Sequence, residues 1–261
     1  VHTLYILVGS ANACRSIKNP WTYHERAGML EVKLHAAGIK NYVLVPMNDY
    51  PYSDSQWMTD VRAVVEFYSI GDPVLFGHMK EGNFYLKWFK EWEYRNIEST
   101  YNINATAIRE KMFLSNDKQM PETVRADYKY YEKEKETFKD YPFPETLNFN
   151  CADAVVECQG HILLIKRKFA PGKDTWALPG GFRNRADPSF IDCAIRELME
   201  ETNIRVPEKV LRGSIVKTEL FDSNKRSYGI PRNTLAVYMR INPDNDGNMP
   251  RANGADDASE C

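Results

Sequence analysis

The residues of this chain best suited to chemistry are concentrated at Arg196-Glu197-Leu198-Met199-Glu200-Glu201, where three carboxylates and a guanidinium share one short stretch of predicted helix. Phe190, Ile191, Ala194, Ile195, Leu198 and Met199 recur at helical spacing and predict one buried stripe. Glu197, Glu200 and Glu201 fall at i, i+3 and i+4 and predict a shared acidic face on the other side. Like charges at those spacings repel by roughly 0.2 to 0.5 kcal/mol per pair, so a helix built only for stability would interleave lysines. A divalent cation reverses the sign of that argument. Mg2+ and Mn2+ take oxygen ligands, and a few carboxylates together with substrate phosphates are their usual setting. The competing reading is a solvated acidic face with no ligand.

The residues ahead of this helix favour the metal. Trp176-Ala177-Leu178-Pro179-Gly180-Gly181 ends an apolar run in a proline-glycine turn, where a strand stops and the backbone approaches a ligand closely. Here the sequence resembles the Nudix hydrolases, whose box runs Gly, five residues, Glu, seven residues, Arg-Glu-apolar-x-Glu-Glu-x-Gly-apolar. Counting back from Arg196, the first glutamate of the box falls at Pro188, with Asp187 beside it, and Gly181 lies one residue too far away. A one-residue insertion in the loop accounts for this and puts the loop's anchoring carboxylate in question. Asn203 stands where the family has glycine, and asparagine tolerates the left-handed backbone better than most residues. The resemblance implies metal binding by Glu200 and Glu201, metal binding or general base action by Glu197, orientation of the carboxylates by Arg196, and a carbonyl offered to the metal by Gly181. Trp176, Arg167, Arg226 and Arg232 are candidate contacts to a base or phosphate, with a solvated surface cation as the alternative for each arginine.

Composition sets outer limits. With 261 residues, 43% of them hydrophobic, and a formal net charge of -2, the chain has room for two domains. No basic excess points to nucleic acid, no long apolar run predicts a membrane span, and no signal peptide is present. Cys14, Cys151, Cys158, Cys193 and Cys261 are odd in number and lack metal spacing, which predicts a reducing, cytoplasmic setting.

Residues 1 to about 110 alternate short apolar runs with amphipathic stretches. Strand-like segments at 4–8, 42–45 and 74–76 separate helices predicted near 22–37 and 53–69. Each helix opens on a capping signature, Thr22-x-x-Glu25 and Ser53-x-x-Gln56, and Gly38 stops the first. This is the parallel βαβ pattern of a Rossmann-like, nucleotide-binding α/β domain. A charged, tyrosine-rich segment then leads through Tyr141-Pro142-Phe143-Pro144, an extended connector. After Asn150 the pattern is a hairpin, 154–158 and 161–165 around Gln159-Gly160, then the acidic helix and a strand at 234–239. The expected organisation is a nucleotidyltransferase-like domain with its connector at 1–144 and an α/β/α sandwich with a mixed sheet, as in Nudix domains, at 145–261.

Four patches stand out in the first half. Gly9-Ser10 closes the first strand; Asn19 and Arg26 bracket the start of the first helix; Gly77-His78 follows the third strand and leads to Trp92; and Asn104-x-Thr106-x-x-Arg109 reads as a helix start able to hold a polyphosphate. Each has a structural alternative: Thr106 as a plain cap, Trp92 as core, Arg26 in a surface ion pair, His78 at an ordinary strand end. Together and in this order they resemble the archaeal-type nicotinamide-mononucleotide (NMN) adenylyltransferases, a subgroup of which is fused to a Nudix domain. The resemblance implies NAD synthesis from ATP and NMN in the first domain and hydrolysis of ADP-ribose to AMP and ribose 5-phosphate in the second, with Mg2+ or Mn2+ as cofactor. It leaves a homo-oligomer open. The family's His-x-Gly-His motif is absent from this chain. Val1 opens almost directly on a strand and the segment 242–261 is polar, so both ends are read as truncated, a floppy tail being the alternative for the second. Two other classes compete: a single-activity hydrolase with a nucleotide-sensing first domain, and a non-enzymatic Nudix-type ligand sensor. The sensor predicts a degraded box and a DNA-binding helical module, whereas Arg196 to Glu201 is intact and no basic helix-turn-helix pattern follows.

Overall fold

The computed structural model describes residues 2–77, 88–97, 103–224 and 226–261. Two compact units form, Val1–Arg15 with Asn19–Asp117, and Ser16–Lys18 with Lys118–Cys261.

In the first unit, β1 (Leu4–Val8) and β2 (Tyr42–Pro46) pair in parallel, joined through α1 (Tyr23–Ala36). Helix α2 (Asp54–Phe67) leads to β3 (Val74–Gly77), which pairs in parallel with β4 (Glu93–Asn96), and α3 (Ala105–Leu114) follows. The predicted starts hold. The Thr22 side chain accepts from the Glu25 N–H while Glu25 reaches back to the Thr22 backbone, and Ser53 accepts from the Gln56 N–H. Gly38, at φ +72°, ends α1 in the left-handed region. Val45, Met47, Val61 and Phe89 form a core, against which Trp57, Leu75 and Trp92 pack.

The second unit opens with α4 (Glu122–Thr137), then β5 (Phe149–Cys158), β6 (His161–Ile162), β7 (Ile165–Arg167), β8 (Trp176–Ala177) and β9 (Gly180–Phe182). Helices α5 (Phe190–Thr202) and α6 (Glu208–Gly213) precede β10 (Ile215–Phe221), β11 (Arg232–Arg240) and β12 (Ala258–Glu260). The larger sheet is mixed, in the order β10-β11-β5-β6, with β11 parallel to β5 and β9 antiparallel to it. A smaller sheet runs β12-β7-β8. Ala152, Ala154 and Val156 alternate along β5 toward Cys193, Ala194, Ile195 and Leu198 of α5, which makes the core a helix-on-sheet layer.

Two expectations change, and the floppy-tail alternative for the end of the chain is set aside. The second hairpin strand, read as one run over 161–165, is split into β6 and β7; Gln159 and Gly160, at φ 51° and 77°, still supply the positive angles of a tight hairpin turn. The end of the chain is docked, not floppy: Asn253 N–H donates to the Thr202 carbonyl at 2.7 Å, Ala255 N–H to that of Glu201 at 2.9 Å, and β12 pairs with β7. Finally, the units divide between Asp117 and Lys118, so the charged helix α4, read from sequence as part of the first domain's connector, lies within the second unit. Among the described residues no helix is long and apolar enough to cross a membrane.

Candidate active site

Helix α5 begins at Ser189, whose hydroxyl accepts from the Asp192 N–H at 3.2 Å. It ends at Asn203, at φ 44°, whose N–H returns to the Met199 carbonyl at 3.0 Å, so asparagine fills the left-handed position expected of glycine. Its faces differ from the expectation at two positions. Met199 is exposed and Glu201 is buried. Glu201 lies three residues beyond Leu198 and four beyond Glu197, which puts it at the border of the apolar stripe, under the turn that leads into β9.

Arg196 is the hub of the acidic cluster. It pairs bidentately with Asp187, Nε to Oδ1 and Nη2 to Oδ2 both at 2.9 Å, and donates to the Phe182 carbonyl at 3.1 Å. The same guanidinium reaches Glu197 at 2.9 Å and Glu200 at 2.8 Å. Asp187 is buried, also accepts from the Asn184 N–H at 2.9 Å, and is held down at a pKa of about 2 by the Arg196 guanidinium. The inserted loop thus keeps an anchoring carboxylate, one residue before the position counted from the box. Burial pushes the Glu197 carboxyl up, against the pull of Arg196. Burial likewise pushes Glu201 up to about 7, with Glu197 adding to the effect, although Glu201 accepts from the Gly180 N–H at 2.9 Å.

Among the described residues, no group of three or more His, Cys, Asp or Glu side chains stands as a ready metal-binding cluster. Arg196 engages Glu197 and Glu200, while Glu201 accepts from the Gly180 N–H. The donor set nevertheless fits a hard divalent cation. The Glu197 charge raises the cost of ionising Glu201, and Glu197 faces the bare Cα of Gly181, where a Cβ would come within 2.5 Å of its Oε1. The Gly181 carbonyl, named from the resemblance as a ligand, lies 3.9 Å from the Cys193 thiol in a residue paired with Ala152.

Asp153 was not singled out from sequence. It sits on β5 opposite Gly180, and a Cβ on that glycine would run into its Oδ1 and come within 2.5 Å of the Ala152 carbonyl oxygen. Burial raises the Asp153 carboxyl to about 6, and the charges of Arg226 and Arg167 act on it. Its signal in the sequence was a carboxylate, one of two with Glu157, in the apolar run of a central strand. Arg167 donates to the Pro171 carbonyl at 2.7 Å, and Arg226 to that of Phe221 at 2.8 Å, so both side chains are fixed beside their own loops. Arg232 stands apart from them: it pairs with Glu134 of α4 and lies over the rings of Tyr131, Phe149 and Phe182, which commits it to packing. Trp176 is exposed on β8.

In the first unit, Gly9, Ser10 and Arg26 are brought together. Ser10, at φ 52°, places its hydroxyl and its N–H on Asp49, which sequence reasoning missed, and Arg26 Nη2 donates to the Ser10 carbonyl at 3.1 Å. Arg26 Nε is buried without a hydrogen-bond partner. Trp92 stacks on Phe89 with ring centroids 4.7 Å apart, as core. The Gly77 carbonyl accepts from Tyr94 at 2.6 Å and from the Ile97 N–H at 2.8 Å; His78 lies outside the described residues. Asn104 caps α3 by accepting from Thr106 and Ala107 N–H groups, and Arg109 donates to the Thr106 hydroxyl at 3.2 Å, so two amides of that helix start are already engaged. Asn19 belongs to the same unit.

Residues 149–260 match the NUDIX domain. A nicotinamide-nucleotide adenylyltransferase of Archaeoglobus fulgidus is 30% identical over 134 residues, 48% of this chain and 73% of that protein. A nicotinamide/nicotinic acid mononucleotide adenylyltransferase of Acinetobacter baylyi is 34% identical over 112 residues, 41% of this chain, which spans 59% of that protein's length. A solved bifunctional NMN adenylyltransferase/ADP ribose pyrophosphatase from Francisella tularensis matches 99% of this chain and 82% of its own, with 30% identity and a TM-score of 0.85. A further structure of the Francisella protein, complexed with AMP and a Mn ion, matches with 29% identity and a TM-score of 0.83 over the same shares of the two chains. With both halves matched in one order, the chain belongs to the family of bifunctional NMN adenylyltransferase/ADP ribose pyrophosphatases.

Proposed function

We propose that the second unit hydrolyses ADP-ribose to AMP and ribose 5-phosphate, and that the first joins the AMP part of ATP to NMN. The observation that carries the hydrolase reading is the Arg196 hub: Asp187 fixes the guanidinium, and the guanidinium in turn holds Glu197 and Glu200 beside the buried Glu201. Glu197, Glu200 and Glu201 would hold Mg2+ or Mn2+, which neutralises phosphate oxygens and lowers the pKa of a bound water. Water oxygen bonds to phosphorus as the bridging P–O bond breaks, and Glu197 is assigned either to the cation or to the water's proton. Arg167 and Arg226 would counter the diphosphate charge, and the exposed ring of Trp176 would offer a surface to the base. The first-unit reading is supported by the Gly9-Ser10-Arg26 arrangement, whose buried Nε suits an anionic ligand.

The test incubates the chain with ADP-ribose and Mg2+ or Mn2+ beside Glu200→Gln and Glu201→Gln. Wild type is expected to release AMP, and each variant to be slowed by about a hundredfold or more. Equal release from the variants, or none from wild type, sinks the hydrolase assignment. For the first unit, ATP binding measured by calorimetry is expected to weaken in Arg26→Ala, and unchanged binding would reject that site.

A further inference from the structure

Helix α4 lies upstream of the matched NUDIX region, yet it is built into the unit that contains it. Val124, Asp127, Tyr128, Tyr131, Glu134 and Phe138 recur at helical spacing and form one face. Aromatic members of that face pack on the unit: Phe138 meets Phe149 at 5.2 Å between centroids, and Tyr128 and Tyr131 meet Tyr228 at 6.1 and 5.9 Å. The two carboxylates on the same face each take a different loop. Asp127, buried, accepts from the Gly172 N–H at 2.9 Å in the loop between β7 and β8. Glu134 accepts from the Ile230 N–H at 2.8 Å and pairs with Arg232, at the end of the loop between β10 and β11. Gly229 passes beneath Glu134 so closely that a Cβ there would lie 2.5 Å from the Tyr131 ring.

Buried or nearly buried carboxylates are a costly way to attach a helix, because they must be desolvated and apolar residues of similar volume need not be. What these two hold explains their use. The first loop follows Arg167, whose Nε grips the Pro171 carbonyl one residue before Gly172; the second carries Arg226. Both cations act on Asp153, which lies on Gly180, the residue whose N–H holds Glu201.

We propose that α4 is a clamp on the hydrolase site, in which Asp127 and Glu134 are positioning residues that hold the loop gripped by Arg167 and the loop that carries Arg226 at the spacing required by an anionic diphosphate. The proposal rests on the hydrolase reading given above. It places an affinity determinant outside the region that the NUDIX match covers, in a helix that carries none of the box residues.

The test compares the full chain with Asp127→Asn, Glu134→Gln and the exposed-face control Lys133→Ala. Both amides retain an oxygen for the loop N–H, and Glu134→Asp, which shortens the tether by one methylene, serves as a third variant should either fail to fold. KM and kcat for ADP-ribose are measured together with amide hydrogen exchange. KM is expected to rise about tenfold in the Asp127 and Glu134 variants, with kcat within about twofold of wild type. Exchange is expected to quicken at 171–174 for Asp127→Asn and at 228–232 for Glu134→Gln, and at neither for Lys133→Ala. Unchanged KM, or a fall in kcat that merely follows a lost folded fraction, overturns the clamp. An inactive wild type removes the hydrolase reading beneath it, whereas an active wild type whose KM ignores the variants removes the clamp alone.

Discussion

Arg196 touches Asp187, Glu197 and Glu200 through a single guanidinium, so the geometry of the acidic cluster depends on which carboxylate holds that cation most firmly. Asp187 does, by two parallel bonds from a buried position. Arg196 is partly exposed and keeps Glu197 and Glu200 as partners when Asp187 is removed, so what is lost is a set of charge-assisted hydrogen bonds and not the whole compensation of a buried charge. Asp187→Ala is therefore expected to lower unfolding free energy by about 1 to 3 kcal/mol and to cut hydrolysis sharply, because Arg196 is then free to turn fully onto the glutamates. Thermal unfolding and steady-state assays check both; retained activity would show that the anchor is dispensable. A second residue-scale prediction concerns Glu25, which Arg15 holds down at about 2 from an ordinary value of 4.5. A depressed carboxylate stabilises the fold fully above its unfolded pKa and loses that contribution as pH falls through the folded value. Both side chains are partly exposed, so solvent screening reduces the effect to about 1 kcal/mol. Glu25→Gln is expected to flatten the decline in stability between about pH 5 and pH 2, measured by denaturant unfolding at several pH values.

Strand β9 shows how two adjacent glycines serve different ends. A Cβ at Gly181 would meet the far end of the Glu197 side chain at 2.5 Å, whereas a Cβ at Gly180 would meet the carbonyl oxygen of Ala152, part of the backbone, at 2.5 Å. A flexible carboxylate can move and a central strand cannot. Gly181→Ala is expected to reduce kcat by tenfold or more while leaving Tm within about 3 °C, and Gly180→Ala to lower Tm by more than about 5 °C. Equal Tm values for the two variants would refute this division of roles. At the same scale, α5 was largely legible from its periodicity, since Ala194, Ile195 and Leu198 are buried as expected. Met199 and Glu201 were not, because a residue at the edge of an apolar stripe is buried or exposed according to what lies over it. The turn before β9 covers Glu201 and leaves Met199 outside.

Across the whole chain, the division between units falls at 117 and 118, and α4 is joined to the second unit by ion pairs and rings. A chain beginning at Lys118 is therefore expected to fold and to hydrolyse ADP-ribose with the KM of the full protein, while one beginning at Glu145 binds substrate at least tenfold more weakly or fails to fold. Indistinguishable KM values for the two would assign α4 no part in the hydrolase. Local pattern by itself determined the βαβ alternation of the first half, the helix caps at Thr22 and Ser53, the acidic helix with its glycine turn, and the two families those motifs resemble. Capping and amphipathic periodicity act within a few residues, which is why they can be read along a line. Asp153 under Gly180, Asp49 on Ser10, Arg232 on Glu134 and the assignment of α4 to the second unit were decided only by tertiary structure. Each joins residues some 27 to 98 positions apart, and a charge finds such a partner only after the strands and helices have packed.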